Sequence, residues 1–352
     1  MKTFGYAATD ASTPLQPFSF DRRELRPDDV AIEILYCGVC HTDLHMARND
    51  WGFSAYPVVP GHEIVGRVSA VGSAVSRFKI GDNVAIGTIV DSCMKCDRCR
   101  RNEEQMCRVG VTVTYNGQDR LTGDITFGGY SKHIVAREDF VLRVPDGLDL
   151  SRAGPLLCAG ITTYSPLRTW NVGPGSRVAV IGLGGLGHLA VKFAAALGAH
   201  VTVVTRSADK TATALELGAD DVLLSTSKEQ MASAAWSYDV IIDTVPYEHD
   251  IAPYIDLLEA DGTLVIAGSL VNTPRFNNLP LISGRRRIAG TPSGGIKETQ
   301  EMLDFCAKKN ILPECEMIAI QDIAAAFDRM ERGDVRYRFV IDMASLQADQ
   351  AA

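Results

Sequence analysis

Over the first third of the chain, apolar residues come in short runs cut by glycine and proline, and few of them repeat with a helical period. Val30 to Tyr36 and Glu63 to Gly72 have strand composition, and Lys79 to Ala85 is a turn entering another strand. Phe127 to Val135 reads as a loop running into a strand, and Phe140 to Pro145 as one more strand. This pattern predicts a β-rich, barrel-like or sandwich-like segment. The character changes after Leu150. Ser151 is placed to cap a helix running through Leu156, and Cys158 to Tyr164 opens a second. From Arg177 a cycle of apolar strand, glycine turn and helix repeats, with strands at 178–181, 201–205, 222–224, 238–243 and 262–268. Helices at 188–197 and 210–217 each end at a glycine. Short buried strands alternating with helices predict a parallel, doubly wound sheet. Beyond Gly290 come helix-like stretches at 297–309 and 323–332 and a last strand, Arg338 to Asp342; the polar, alanine-rich tail from Ala344 is expected to fray.

A length of 352 residues fits two domains. The expected division is a β-rich domain at 1–154 and 290–352, carrying a cysteine lobe at 91–110, around a cofactor domain at 155–289. A net charge of -8 speaks against a nucleic-acid surface, which needs a basic patch. No apolar run approaches the roughly 18 residues of a membrane span, and no basic stretch followed by an apolar one marks a signal peptide. Nine cysteines, an odd number, make a disulfide framework the weaker reading, and four of them crowd into 93–107. Metal in a reducing cytoplasm is the expectation.

Two stretches carry metal chemistry. Between Cys40 and Glu63 lie a thiolate, several imidazoles, a hydroxyl and several carboxylates, the ligand types of a borderline-soft cation such as zinc. Taken alone, Cys40 reads rather as a buried cysteine near surface histidines, and the rest of the chain decides the matter. A catalytic zinc needs three protein ligands and an open position; Cys40 and His62 supply two, and Cys158 is the candidate third. The second stretch, Cys93-x2-Cys96-x2-Cys99-x7-Cys107, has the short spacings of a closed four-thiolate zinc site with a structural role. Lys95, Arg98, Arg100, Arg101 and Arg108 are expected to offset its negative charge. An iron–sulfur cluster is the rival, although its pattern has a shorter last spacing and a proline after the last cysteine, where this chain has Arg108.

Gly182-Leu183-Gly184-Gly185-Leu186-Gly187 follows an apolar strand and opens an apolar helix, the context a dinucleotide-binding turn requires. Gly182 permits the tight turn, Gly184 the approach of a pyrophosphate, and Gly187 close helix–strand packing. The next strand ends at Thr205, and where an acid would meet a free ribose 2′-hydroxyl the chain continues Arg206-Ser207-Ala208-Asp209-Lys210. Arg206 and Lys210, with the hydroxyls of Thr205 and Ser207, would attract a 2′-phosphate, so NADP(H) is expected over NAD(H). Asp209 is the residue that could reverse that expectation.

Gly38 to His45, Tyr56 to Glu63, the four lobe cysteines, Pro155 to Tyr164 and Gly182 to Gly187 together resemble the zinc-dependent medium-chain alcohol dehydrogenases. The chain looks closest to their cinnamyl alcohol dehydrogenase-like branch, which includes bacterial broad-specificity aldehyde reductases. The resemblance implies an α/β protein with a GroES-like catalytic domain and a Rossmann domain, two zinc ions per chain, NADP(H) and a homodimer. It implies Cys40, His62 and Cys158 as catalytic-zinc ligands, with Glu63 behind them as an alternate ligand. Asp43 would orient His62, and Thr42 would hydrogen-bond the substrate oxygen. A relay through the cofactor ribose would pass the proton to His45, with Thr162 against the nicotinamide and His41 near the pyrophosphate. Cinnamyl, benzyl and aliphatic primary alcohols and their aldehydes are the implied substrates, with aldehyde reduction as the cellular direction. A polyol or secondary-alcohol dehydrogenase of the same superfamily, or a non-catalytic zinc and nucleotide-binding protein, are the alternatives. Trp51, Tyr56 and Leu270 are candidates to line an apolar channel. His133, His188, His200 and His249 match no ligand position and read as structural, as do Cys37, Cys306 and Cys315.

Overall fold

The computed structural model describes residues 1–268 and 272–347; Leu270 lies outside them. The chain divides into two compact units, Met1–Cys158 with Gly294–Ala352, and Ala159–Ser293. Both boundaries fall four residues later than the sequence suggests, at 158 against 154 and at 293 against 289. The reason lies in local packing. Gly154 is so close to the Glu63 carbonyl that an added Cβ would stand 2.8 Å from it, and the 3-10 turn Gly154–Leu157 is buried throughout. Residues 155–158 therefore belong with the β-rich unit.

That unit is built on the strand Asp29–Val39, buried on both faces along most of its length. The sheet order runs Cys315–Ala319, Arg338–Asp342, Asp29–Val39, Ile64–Val71, Asn83–Ile86, Leu142–Arg143, and His133–Arg137 also pairs with the central strand. Ile64–Val71 and Arg338–Asp342 both run antiparallel to it, pairing Cys37 with Ile64 and Val39 with Phe339. In an antiparallel pair the end of one strand lies beside the start of the other. This register therefore gathers three segments distant in sequence: Cys40 leaving the central strand, His62-Glu63 entering one neighbour, and Arg338 opening the other.

Two expectations need correcting. The stretch after Val39, read as strands and turns, folds as the helix His41–Arg48. The cap of the next helix, Leu150–Ala153, is Asp149 and not Ser151: its carboxylate accepts the Ser151 N–H at 2.9 Å and the Ser151 hydroxyl at 2.7 Å. A charged acceptor at the capping position outcompetes a hydroxyl two residues on.

The second unit is a six-stranded parallel sheet in the order Asp221–Leu224, His200–Thr205, Arg177–Ile181, Tyr238–Asp243, Leu258–Ile266, Arg287–Gly290. Val178, Ala179 and Val180 are fully buried, as a strand covered on both faces requires. The strand order reverses at Arg177–Ile181, so the crevice for a ligand opens at its carboxyl end, where the glycine turn begins. Among the described residues no helix is long and apolar enough to cross a membrane.

Candidate active site

One donor atom each from Cys40, His62, Glu63 and Cys158 lies within 4.8 Å of the others. The two thiol sulfurs are 3.9 Å apart. A disulfide would need about 2.05 Å, whereas two thiolates on one tetrahedral zinc, each about 2.3 Å from it, stand about 3.8 Å apart. The cluster thus has the donor types and the spacing of a zinc site. The Cys40 and Cys158 sulfurs are hydrogen-bonded to each other. Their hydrogen bond, helped by His62 and Arg338, holds the Cys40 thiol well below its ordinary range, while the same bond and burial push Cys158 well above it.

Asp43 organises the surroundings. Wholly buried in the first turn of the helix, it accepts hydrogen bonds from the Cys40 N–H at 2.9 Å, the Gly61 N–H at 3.0 Å and the Tyr130 hydroxyl at 3.1 Å. His62 Nδ1 lies 3.1 Å from the same carboxylate, which makes Nδ1 the protonated nitrogen and leaves Nε2 free for a metal. Burial works against an imidazolium here, but Asp43 and Cys40 outweigh it and hold His62 well above its usual value. Gly61 sits at φ +102, and a Cβ there would strike Tyr130 at 2.7 Å and Cys37 Sγ at 2.9 Å. The Pro60-Gly61-His62 turn therefore tolerates only glycine at its centre.

Glu63 lies behind the thiolates, fully buried and paired with Arg338. Burial raises its carboxyl to about 7 against the opposing pull of Arg338. Its Oε2 has no hydrogen-bond partner among the described residues, so one oxygen remains available. Burial disfavours the Arg338 charge, but Glu63, Cys40 and Cys158 more than compensate and raise it. On the opposite edge of the helix, His45 Nδ1 lies 2.7 Å from Asp50 Oδ2, and its ring is 5.2 Å from that of Trp51. Thr42 and His41 are half-buried in the same helix; burial lowers the imidazole of His41. Tyr56 spends its hydroxyl on the Ala47 carbonyl at 2.9 Å, and Trp51 stacks on Phe53 with centroids 5.8 Å apart. Arg338, Tyr130 and Asp50 escaped the sequence reading. A signal for Arg338 existed, since a cation opening the apolar strand Arg338–Asp342 needs a buried partner.

Cys93, Cys96, Cys99 and Cys107 form a second cluster within the same 4.8 Å limit. Sulfur separations of 3.9 Å for Cys93–Cys99 and 3.5 Å for Cys96–Cys99 again match a tetrahedral tetrathiolate. Of the surrounding cations, Arg108 interacts with the Cys96 thiolate as expected, but three also have carboxylate partners. Arg98 pairs with Glu103 at 2.8 Å, and Arg101 and Arg108 pair with Asp97 at 3.3 and 3.1 Å. Backbone N–H groups serve the sulfurs as well, from Cys93 to Cys107 Sγ at 3.5 Å and from Cys96 to Cys93 Sγ at 3.4 Å. Such bonds from Cys99 and Arg108 lower the Cys96 thiol to about 6, while burial pushes Cys99 up to about 12.

In the parallel-sheet unit, Gly182 has φ +88, Gly184 has open space where a side chain would stand, and a Cβ on Gly187 would meet the Gly182 carbonyl at 2.1 Å. Gly187 opens the helix Gly187–Ala196, so Leu183, Gly185 and Leu186 complete a turn that presents free N–H groups at a helix N-terminus. Thr205 ends its strand buried; Arg206, Ser207 and Lys210 follow, exposed. The Ser207 hydroxyl is hydrogen-bonded to Asp209, and Arg206 Nη2 reaches the Tyr247 hydroxyl at 3.4 Å. Thr162 lies half-buried in the helix Ala159–Thr169 of this unit. His188 is buried with Nδ1 2.9 Å from the Gly184 carbonyl, and His249 Nε2 stands 3.0 Å from the buried Asp243; neither joins a metal cluster.

Residues 26–146 match the alcohol dehydrogenase GroES-like domain, and residues 185–308 match the zinc-binding dehydrogenase domain. The 8-hydroxygeraniol dehydrogenase of Catharanthus roseus is 51% identical over 347 residues, 98% of this chain and 96% of that protein. A cinnamyl alcohol dehydrogenase from Sorghum bicolor superposes with a TM-score of 0.94 at 44% identity, over 99% of each chain. The CAD of Helicobacter pylori, complexed with NADP(H), superposes with a TM-score of 0.91 at 40% identity, over 98% of this chain and 99% of that one.

Proposed function

Because the chain belongs to the zinc-dependent medium-chain alcohol dehydrogenases, in their cinnamyl alcohol dehydrogenase-like branch, and is therefore an alcohol/aldehyde oxidoreductase, we propose that it interconverts primary alcohols and aldehydes with NADP(H) and runs as an aldehyde reductase. The observation that carries the cofactor preference is the run after Thr205, where Arg206 and Lys210 stand exposed at the strand end in place of an acid. The NADP(H) complex of the Helicobacter pylori relative supports it. Cinnamyl alcohol and 8-hydroxygeraniol, named for two relatives, are both allylic primary alcohols, which supports a primary, conjugated substrate beside benzyl and aliphatic ones.

In this reading Cys40, His62 and Cys158 hold a zinc with Glu63 in reserve, and the four lobe cysteines hold a second, structural one. Bound zinc supplies Lewis-acid polarisation of the substrate oxygen, and the bound nicotinamide exchanges the hydride. Thr42 hydrogen-bonds the substrate oxygen, and His45, its Nδ1 fixed by Asp50, moves the proton between that hydroxyl and solvent. Asp43 keeps the His62 imidazole in the tautomer that presents Nε2. His41 and the turn Gly182 to Gly187 receive the pyrophosphate, and Thr162 faces the nicotinamide. A homodimer in the cytoplasm completes the proposal. Initial rates with NADPH and NADH against cinnamaldehyde, benzaldehyde and hexanal, and with NADP⁺ and NAD⁺ against sorbitol, test it. Faster NADPH-dependent reduction of the aldehydes is expected; turnover of sorbitol alone, or equal rates with NADH, would overturn it.

A further inference from the structure

Tyr115 lies two residues beyond the strand Thr112–Val113, on the chain that leaves the cysteine lobe. Its ring rests against the imidazole of His62, with centroids 5.7 Å apart and planes at 36°. It is 5% exposed, and its hydroxyl is buried with no hydrogen-bond partner among the described residues. The hydroxyl lies near the Asp43 carboxylate without meeting the geometry of a full hydrogen bond, so the contact that Tyr115 makes with His62 is that of its ring. The segments on either side are tied down. The Thr114 N–H donates to the Thr88 carbonyl at 3.0 Å and the Asn116 N–H to the Thr126 carbonyl at 2.9 Å. The Asn116 side chain accepts the Ala55 N–H at 2.7 Å. Thr112–Val113 pairs antiparallel with Ile89–Asp91, which leads directly into Cys93, and Cys107 stands five residues ahead of Thr112. Both arms of the cysteine lobe thus form one ribbon, and Tyr115 stands just past its end.

Asp43 fixes one edge of His62 and Cys40 approaches it from another; a ring packed against the imidazole further limits its tilt. We propose that Tyr115 is a positioning residue for His62, and that through it the order of the cysteine lobe tightens metal retention at the Cys40–His62–Cys158 cluster. The inference rests on the ligand assignment proposed above. The test is zinc release into a chromogenic chelator, with zinc per chain measured by mass spectrometry. The phase missing in Cys40→Ala identifies the Cys40 cluster, and the phase missing in Cys107→Ser identifies the lobe. Tyr115→Leu is expected to release the Cys40-cluster zinc about tenfold faster or more, the usual scale for losing an outer-shell partner, with the lobe phase unchanged. Tyr115→Phe, which keeps the ring, should stay within about twofold of the unaltered protein. Cys107→Ser should speed the Cys40-cluster phase when Tyr115 is present and add nothing in the Tyr115→Leu background. Release from Tyr115→Leu at the unaltered rate, or equal acceleration in Tyr115→Phe, overturns the inference. A Cys40→Ala protein that keeps both zincs removes the ligand assignment, and the inference falls with it.

Discussion

Glu63 and Arg338 stand 275 residues apart in sequence and form a buried ion pair at 0% and 4% side-chain exposure. Removing one member of such a pair leaves an uncompensated charge and typically destabilises by about 3–5 kcal/mol. Arg338→Met is therefore expected to lower the urea midpoint of unfolding, towards the smaller end of that range, because a carboxyl already raised to about 7 can take up a proton. Arg338→Met combined with Glu63→Gln should recover most of the loss, and a double-mutant cycle measures the coupling. If the single substitution leaves the midpoint unchanged, the pair does not stabilise the fold. This contact also marks how far the residues could be read. Cys40, His62 and Cys158 announce themselves as donors of one chemical class, and the fold brings them together. Arg338 belongs to no motif, and Tyr130 contributes only a hydroxyl to Asp43. Each acquires meaning from strand register, which no local spacing encodes.

The elements were legible where burial follows a period. The parallel-sheet strands are apolar on both faces and stand out as runs, as does the amphipathic helix Ile296–Lys309. The helix His41–Arg48 was hidden because its buried face comprises Asp43, Leu44, Met46 and Ala47, a carboxylate among three apolar residues over barely two turns. The loop at 116–126 was hidden for another reason: its organiser is one acid. Asp119 accepts Arg26 at 2.8 and 3.0 Å and the N–H groups of Leu121 and Thr122 at 2.9 and 3.0 Å. Burial alone would raise its carboxyl, but Arg26 and those N–H groups hold it well below the usual carboxylate range. A depressed folded value means that the stabilisation is present above the unfolded value of about 3.9 and is lost as pH falls below it. Asp119→Asn should thus destabilise by roughly 2 kcal/mol at pH 7, with the gap to the unaltered protein narrowing steadily below about pH 4. Thermal midpoints of the two proteins at pH 7, 5 and 3.5 check this; a gap that does not change with pH contradicts it.

Over the whole molecule, the donors of both metal clusters belong to one unit, and the glycine turn with Arg206 and Lys210 belongs to the other. Placing Cys158 in the first unit sharpens this division, since the sequence alone put it beyond the boundary. The parallel sheet was readable because strand, turn and helix repeat, whereas the edges of the units depend on where Gly154–Leu157 packs. If the assignment of labour is right, metal content and cofactor choice are separable properties. Arg206→Asp tests the second without touching the first. It removes a guanidinium contact to a phosphate, a charge-assisted bond of about 1.5–3 kcal/mol, and substitutes a carboxylate that repels the phosphate. With about 1.4 kcal/mol per tenfold, the ratio of kcat/KM for NADPH over NADH should fall about 10- to 100-fold. Lys210, which remains, should keep the fall towards the lower value. Zinc per chain should not change, because no metal donor lies in that unit among the described residues. An unaltered ratio would move the discrimination to Lys210 and Ser207, and a parallel loss of zinc would mean that the two units do not hold their ligands independently.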